Sequence, residues 1–281
     1  MEYLTPLQDL LGFVHCTNPA FSSNASSGRV GFVGLLFGCL MSSSLSSFLI
    51  STLLLSSPSV SSSLPIQLQI LLPPLQQFSL FGFLLSLFHV LEFVATALYT
   101  PHSCTSTSFL LDHSPSYTAA LLFSWTEYLI RCLLSLSPYT SLYVGVPRLS
   151  LVSYVGLALV LCGQCLRFVA MRTCGPSFNH IIQEKQRQGH TLITHGVYSV
   201  LRHPSYCGWF YWSVGTQLLL GNPISSAVYA AASCSFFRAR IPFEEATLML
   251  QYGNGVYEEY AKNTYIGIPF VKGMAGKMKK G

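Results

Sequence analysis

The sequence predicts an all-α, polytopic integral membrane protein with six to eight transmembrane helices and a polar C-terminal region facing the cytosol. Three observations carry this expectation. Half of the 281 residues are hydrophobic and only 9% are charged, whereas a typical soluble domain is about a quarter charged. Apolar runs long enough to cross a bilayer recur along the chain, and the mean hydropathy is +0.47. The charge is also lopsided: twelve of the fifteen Lys and Arg residues lie from Arg167 onward, and before that stand only Arg29, Arg131 and Arg148. The front half therefore reads as lipid-embedded and the back half as water-facing, with a transmembrane region over 1–170 and a more polar region over 171–281 that includes a transmembrane hairpin (206–237), integrated into one domain.

The first apolar run covers 30–55, bracketed by Arg29 and Pro58. At 26 residues it spans a bilayer with tilt, although its Ser-rich middle (Ser42 to Ser47) is also compatible with a break between two short helices. The run 64–72 is too short alone, and Pro73-Pro74 separates it from a longer one at 75–98. Further spans are expected at 117–136 and 149–169. After a polar stretch come two shorter runs, 206–220 and 224–237, joined by Gly221-Asn222-Pro223. That is strong turn chemistry, so the pair reads as a tight helical hairpin. Glu127 and Arg131 are four residues apart and so share a helix face on which they can pair; His89 and Glu92 lie within another span. Ionisable groups at that depth are either polar contacts between helices or functional groups.

The net charge of +5 is small and dispersed, unlike the clustered basic stripe of a nucleic-acid-binding surface. It suits positive loops on the cytoplasmic side of a membrane. The nine cysteines are scattered through apolar segments, and the one C-x-x-C, Cys162 to Cys165, sits inside a hydrophobic run. They read as small apolar helix residues rather than a disulfide or redox framework. The N-terminus lacks the basic n-region of a cleaved signal peptide. Asn24-Ala25-Ser26 fits a glycosylation sequon, usable only on a lumenal end.

Two polar islands interrupt the apolar pattern, 171–206 and 236–270. The first holds His180, His190, His195 and His203, at intervals of 10, 5 and 8. No H-E-x-x-H or neighbouring Cys pair accompanies them, so no metal ligand set is read. Hydrolase elbows, P-loops and a Rossmann glycine fingerprint are also missing from the sequence. In the second island Arg240 and Glu244 stand four apart on a helix expected to emerge from the membrane after Phe237, which puts a cation and a carboxylate on one face at the membrane–water boundary. That arrangement is either an ordinary ion pair ending a span or a site where Arg holds an anionic reactant and Glu a hydroxylated or cationic one. Glu245, one residue on, points elsewhere around the helix.

The run SFNHIIQEKQRQGHTLITHGVYSVLRHPSYCGWFYWSVGTQ, followed by NPIS, FFRARIPFEEATL and YEEY, resembles the isoprenylcysteine carboxyl methyltransferase family over about residues 165–272. The R-H-P-x-Y with paired Glu is shared with phospholipid N-methyltransferases and membrane sterol reductases; SFNH, HTL-I-T, GVYS, WFYWS and GTQ narrow the resemblance. It implies a multi-span protein of the endoplasmic reticulum membrane, with a cytosolic C-terminus, that uses S-adenosylmethionine. The implied acceptor is the free α-carboxylate of a C-terminal prenylated cysteine on processed C-a-a-X proteins, small GTPases among them. By the same resemblance Gln183, His190, Thr191, Leu192, Ile193, Tyr198, His203, Pro204, Ser205, Tyr206 and Glu244 would bind S-adenosylmethionine. Arg240 would be the catalytic residue that faces the substrate carboxylate, with no metal involved.

Of the aromatics, Tyr198, Tyr206, Trp209 and Trp212 are candidates to pack on adenine or sulfonium, the tryptophans equally to anchor at the membrane interface. Lys277 and Lys279 fit a K-x-K-x-x retrieval pattern. The competing functions are a sterol or steroid reductase using NADPH, a phospholipid N-methyltransferase, and a non-enzymatic transporter or scaffold. Arg240 suits an anionic acceptor and repels a cationic one, which disfavours the amine methyltransferase.

Overall fold

The structure, a computed structural model, describes residues 19–111, 115–136, 147–182, 191–253 and 255–274. Among them the chain forms helices α1 (Ser27–Ser56), α2 (Pro58–Ser63), α3 (Ile66–Tyr99), α4 (Pro115–Ser135), α5 (Leu151–Cys174), α6 (Pro204–Leu220), α7 (Pro223–Tyr252) and α8 (Val256–Lys262). The β-pairing among the described residues is a single bridge between Leu201 and Tyr265. Helices α1 and α3 and the segment Leu151–Ser177 are each long and apolar enough to cross a membrane. The chain divides into two compact units, one of residues 1–155 with 217–225 and one of 156–216 with 226–281.

In the first unit α1 packs along α3. The serine-rich middle of α1 does not break the helix, contrary to one expectation from sequence, and its hydroxyls explain why. Several bond back to carbonyls of their own helix, as Ser43 does to Leu40 and Ser51 to Ser47. Others form the seam with α3: Ser79 donates to Ser47 at 2.9 Å and Gln76 to Thr52 at 2.8 Å. Ser44 lies against Gly82, where an added Cβ would come within 2.9 Å of its hydroxyl. Small polar residues let membrane helices approach closely, so the low hydropathy of this stretch belongs to a packing face. The expected separation at Pro73-Pro74 is also corrected, because α3 runs through both prolines as one helix. Membrane helices tolerate such prolines where neighbours re-satisfy the backbone.

The predicted hairpin is present, with α6 ending at Leu220 and α7 starting at Pro223. Gly221 takes a positive φ of 64°, which costs glycine little, and Pro223 occupies a first helical position where no N–H is needed. Glu127 and Arg131 do share a face of α4, but they engage the two ends of this hairpin rather than each other. Arg131 Nη1 donates to the carbonyls of Leu220 (3.3 Å) and Gly221 (2.6 Å) at the C-terminus of α6. Glu127 accepts from the amides of Ile224 (3.0 Å) and Ser225 (2.7 Å) and from the Ser225 hydroxyl, at the start of α7. A cation meets orphan carbonyls and an anion meets orphan amides, each complementing the helix dipole it faces. Buried polar links complete the corner: Ser124 donates to Gln217 Oε1, Asn222 to the Ser124 carbonyl, and Gln77 to the Leu219 carbonyl.

In the second unit α5 and α6 meet through glycines. A Cβ on Gly163 would fall 2.6 Å from the Gly208 carbonyl oxygen, one on Gly208 2.6 Å from that of Gly163, and one on Gly215 2.9 Å from that of Gly156. Both helices repeat the glycine every seven residues, which lines the close approach along one seam. The Glu127→Ala substitution strips the start of α7 of its acceptor and is expected to lower stability by about 2 kcal/mol, in the range for hydrogen bonds to a charged group. Thermal unfolding in detergent measures this; an unchanged Tm would show that the cap carries no weight.

Candidate active site

The second unit contains a cleft of about 960 Å3, open mouth included. Its construction begins at the N-terminus of α6. Pro204 starts the helix, and the chain leading into it is pinned by the bridge to the C-terminal segment: Arg202 N donates to Tyr265 O and Tyr265 N to Val200 O, both at 2.9 Å. Arg202 and His203 are thereby presented side by side to α7. Arg202 Nε donates to Glu245 Oε1 at 2.6 Å and its Nη1 to the Thr264 carbonyl at 2.5 Å. His203 Nε2 lies 3.3 Å from the same Glu245 oxygen. Met274 N donates to the other oxygen, Oε2, at 2.6 Å.

The Glu245 side chain is completely buried. Burial alone would raise its pKa, but hydrogen bonds from His203 and Arg202, together with their charges, outweigh it and hold the carboxyl down at about 2. Glu245 does not line the cleft, in keeping with its divergence from Glu244 around the helix. Its work is to tie α6, α7 and the C-terminal segment together.

The next residue back faces the cleft instead. Glu244 Oε2 stands 3.9 Å from His203 Nδ1, so the imidazole lies between two carboxylates. The ring is also stacked on Tyr206, with centroids 5.5 Å apart and planes 5° from parallel. Tyr206 in turn fixes Arg240: Arg240 Nε donates to Tyr206 Oη at 2.8 Å and Nη2 to the His180 carbonyl at 2.7 Å. The guanidinium lies 5.3 Å from the Tyr206 ring centroid and 5.8 Å from that of Phe236, within cation–π range. The cation on α7 is thus held on an aromatic bed rather than paired with Glu244.

The structure gathers Thr191, Leu192, Ile193, Tyr198, His203, Pro204, Ser205, Tyr206 and Glu244 around the one cleft. Arg240 is joined to that wall through Tyr206. Gln183 and His190 lie outside the described residues, as do Lys277 and Lys279. The tryptophans are elsewhere: Trp212 is buried in the second unit, and Trp209 packs edge-on against Phe237. The sequence reading missed Thr247, Leu248, Gln251, Tyr257 and Tyr260, which also line the cleft. A signal existed for the first three, since Glu244, Thr247, Leu248 and Gln251 follow the 3-4-7 spacing of one helix face. Tyr257 and Tyr260 belong to the YEEY motif, whose helical placement no local pattern revealed.

The polar character of the cleft is specific. Glu244 Oε2 and the Tyr257 hydroxyl are buried without a hydrogen-bond partner among the described residues. Burial pushes the phenols of Tyr198, Tyr257 and Tyr260 well above their ordinary range, so they stay neutral. An open cleft with apolar walls and a few convergent polar atoms suits a ligand carrying hydroxyl groups. A ribose-bearing methyl donor fits that donor and acceptor set.

Fold and cleft together define a multi-pass, all-α membrane protein with a polar site built around the N-terminus of α6. Residues 156–250 match the profile of the isoprenylcysteine carboxyl methyltransferase (ICMT) family. A protein-S-isoprenylcysteine O-methyltransferase of Xenopus laevis is 46% identical over 190 residues, covering 68% of this chain and 63% of that protein. The protein of the same name in Saccharomyces cerevisiae is 41% identical over 196 residues, covering 70% of this chain and 81% of that one. A solved structure of a eukaryotic intramembrane Ras methyltransferase, ICMT, is similar with a TM-score of 0.66 and 30% identity, over 96% of this chain and 99% of that one. The chain belongs to the isoprenylcysteine carboxyl methyltransferase family. It matches less than two thirds of the length of the Xenopus relative.

The buried cluster has a pH signature. Because the folded pKa of Glu245 is depressed, its contribution to stability is fully present above the ordinary carboxylate value of 4.5 and is lost as pH falls through about 2. The Glu245→Gln variant should therefore lose about 3 kcal/mol at pH 7 and show a flatter acid branch. Thermal unfolding of both proteins over a pH series tests this, and parallel acid branches would count against it.

Proposed function

We propose that the protein methylates the free α-carboxylate of C-terminal prenylated cysteines on processed C-a-a-X proteins, small GTPases among them, using S-adenosylmethionine and giving a methyl ester. The observation that supports this most directly is the pairing of an immobilised cation, Arg240, with a cleft that ends in unpartnered acceptor and hydroxyl groups. In this reading Thr191, Leu192, Ile193, Tyr198, His203, Pro204, Ser205, Tyr206 and Glu244 hold the donor, and Gln183 and His190 complete the set by family resemblance. When bound, S-adenosylmethionine supplies an electrophilic methyl group on a sulfonium.

The demands on the protein follow from the acceptor. A prenylcysteine carboxylate is ionised at neutral pH, so no general base is required of the cleft. The task is alignment, and holding two reactants in near-attack geometry removes a large entropic part of the barrier. Arg240 is already restrained by Tyr206 and His180, which leaves Nη1 to meet an incoming carboxylate. One donor edge orients the nucleophile, while a full bidentate grip would draw more of its charge into hydrogen bonds. Glu244 is placed to accept from ligand hydroxyls or to lie near the sulfonium charge.

The same reading places six to eight spans in the bilayer, a transmembrane region over 1–170 and a catalytic region over 171–281. It assigns the protein to the endoplasmic reticulum membrane with a cytosolic C-terminus.

Membranes containing the protein, incubated with methyl-labelled S-adenosylmethionine and N-acetyl-farnesylcysteine, are expected to give base-labile label, the mark of a methyl ester. No turnover, with NADPH consumed on a sterol instead, would overturn the proposal. Arg240→Ala should lower methylation by at least about a hundredfold, the scale for losing a charged positioning group, while donor binding persists. Glu244→Ala should instead weaken donor binding about tenfold or more, measured by calorimetry on purified protein. A reversal of these two phenotypes would refute the division of roles.

A further inference from the structure

Two phenols that line the cleft have hydroxyls already engaged. Tyr206 Oη accepts from Arg240 at 2.8 Å, and Tyr260 Oη donates to the Tyr198 carbonyl at 2.7 Å. Tyr257 differs. It is 1% exposed, its ring sits edge-on to Tyr260 with centroids 5.8 Å apart, and it forms part of the cleft wall. Its hydroxyl nevertheless has no hydrogen-bond partner among the described residues.

A buried hydroxyl left without a partner is costly, and such groups are rare in folded proteins unless a ligand, water or ion completes them. The surrounding chain holds Tyr257 in place firmly. Gly255, at a φ of 75°, turns the chain into α8, and Tyr260 anchors the same short helix to Tyr198.

The chemistry of the missing partner is constrained by what stands nearby. Glu244 lines the same cleft and has its own unpartnered buried oxygen, Oε2, and Tyr257 lies in the field of Glu245 and Arg202 and, less strongly, of Glu244. An ionised carboxylate only accepts, whereas a phenol both donates and accepts. A group that gives a proton to one and takes one from the other satisfies both, and an aliphatic hydroxyl does this, a vicinal diol doubly so. A carboxylate ligand would be repelled by Glu244, and a plain ammonium would leave the phenol's proton unused.

We infer that Tyr257 is a ligand-binding residue whose hydroxyl, together with Glu244, holds the ribose diol of the methyl donor. This rests on the donor proposed above and adds a contact to it. The contact supplies affinity and register rather than chemistry: fixing the ribose fixes how far the sulfonium end reaches toward Arg240.

The test uses the full-length protein in detergent, with S-adenosylhomocysteine and its 2′-deoxy and 3′-deoxy forms as probes. Tyr257→Phe removes one oxygen and keeps the ring. Its Kd for S-adenosylhomocysteine is expected to rise about three- to tenfold, the usual range for one hydrogen bond. For one of the deoxy forms, the variant and the parent protein should bind alike. The ligand-free Tm should hold or rise, because an unsatisfied polar group has been deleted. Unchanged affinity for S-adenosylhomocysteine, an equal loss for all three probes, or a fall in ligand-free Tm would each overturn the inference while leaving the donor assignment standing. If the parent protein does not bind S-adenosylhomocysteine at all, the donor assignment falls as well, and the inference with it.

Discussion

The site depends on one buried carboxylate. Glu245 receives Arg202, His203 and the amide of Met274, so two separate stretches of chain converge on a single side chain of α7 with no exposure to water. Ions taken out of water are tolerated only when every lone pair is answered, and here the answers come from a side chain just before α6, the residue beside it and the C-terminal segment. That requirement determines where α6 can begin relative to α7. It also orients the imidazole of His203, which then offers its other face of contacts to Glu244 and Tyr206. Glycine 273 is part of the same constraint, since a Cβ there would collide with Glu245.

A second electrostatic device, in the first unit, works by a different rule. The hairpin between α6 and α7 leaves carbonyls at one helix end and amides at the next without partners in their own helices. Arg131 and Glu127 answer both from a single face of α4. Spacing four residues apart is usually read as a pair that neutralises itself. Here the two charges are kept apart by stronger claims: four orphan groups of a helix corner outweigh one surface-type ion pair, whose worth is small.

These two cases show what could be read from the sequence and what could not. The helical class and the hairpin at Gly221-Asn222-Pro223 were legible because composition and turn chemistry are local properties, and part of the cleft wall, from Thr191 to Tyr206 and at Glu244, was legible through the family resemblance. The stripe Glu244, Thr247, Leu248, Gln251 was legible in principle by the same periodicity. The Ser-rich stretch misled because low hydropathy has two meanings in a membrane helix, a break or a polar packing face, and the choice depends on the partner helix. Pro73-Pro74 misled for a related reason, since the loss of backbone bonds is decided by what surrounds the helix. Arg202 and Glu245 were least legible of all. Their sequence separation is 43 residues, and no local pattern says which of two adjacent glutamates turns inward.

The division of labour between those adjacent glutamates bears on how a reaction without an acid or base could be organised. A carboxylate nucleophile and a cationic donor lose charge as they react, so a dry, weakly polar environment favours the transition state over the separated ions. Such an environment must still contain enough polarity to bind both reactants. In this chain the polarity is partitioned: Glu245 is closed on Arg202 and His203 and stays off the cleft, Arg202 and Glu244 line it, and Arg240 joins its wall through Tyr206. Arg240 is restrained by an aromatic ring and a backbone carbonyl, neither of which neutralises it, so its charge remains available. Raised phenol pKa values keep Tyr198, Tyr257 and Tyr260 neutral. The buried ion cluster therefore fixes the helices that carry the cleft, with its carboxylate, Glu245, turned away from the cleft itself.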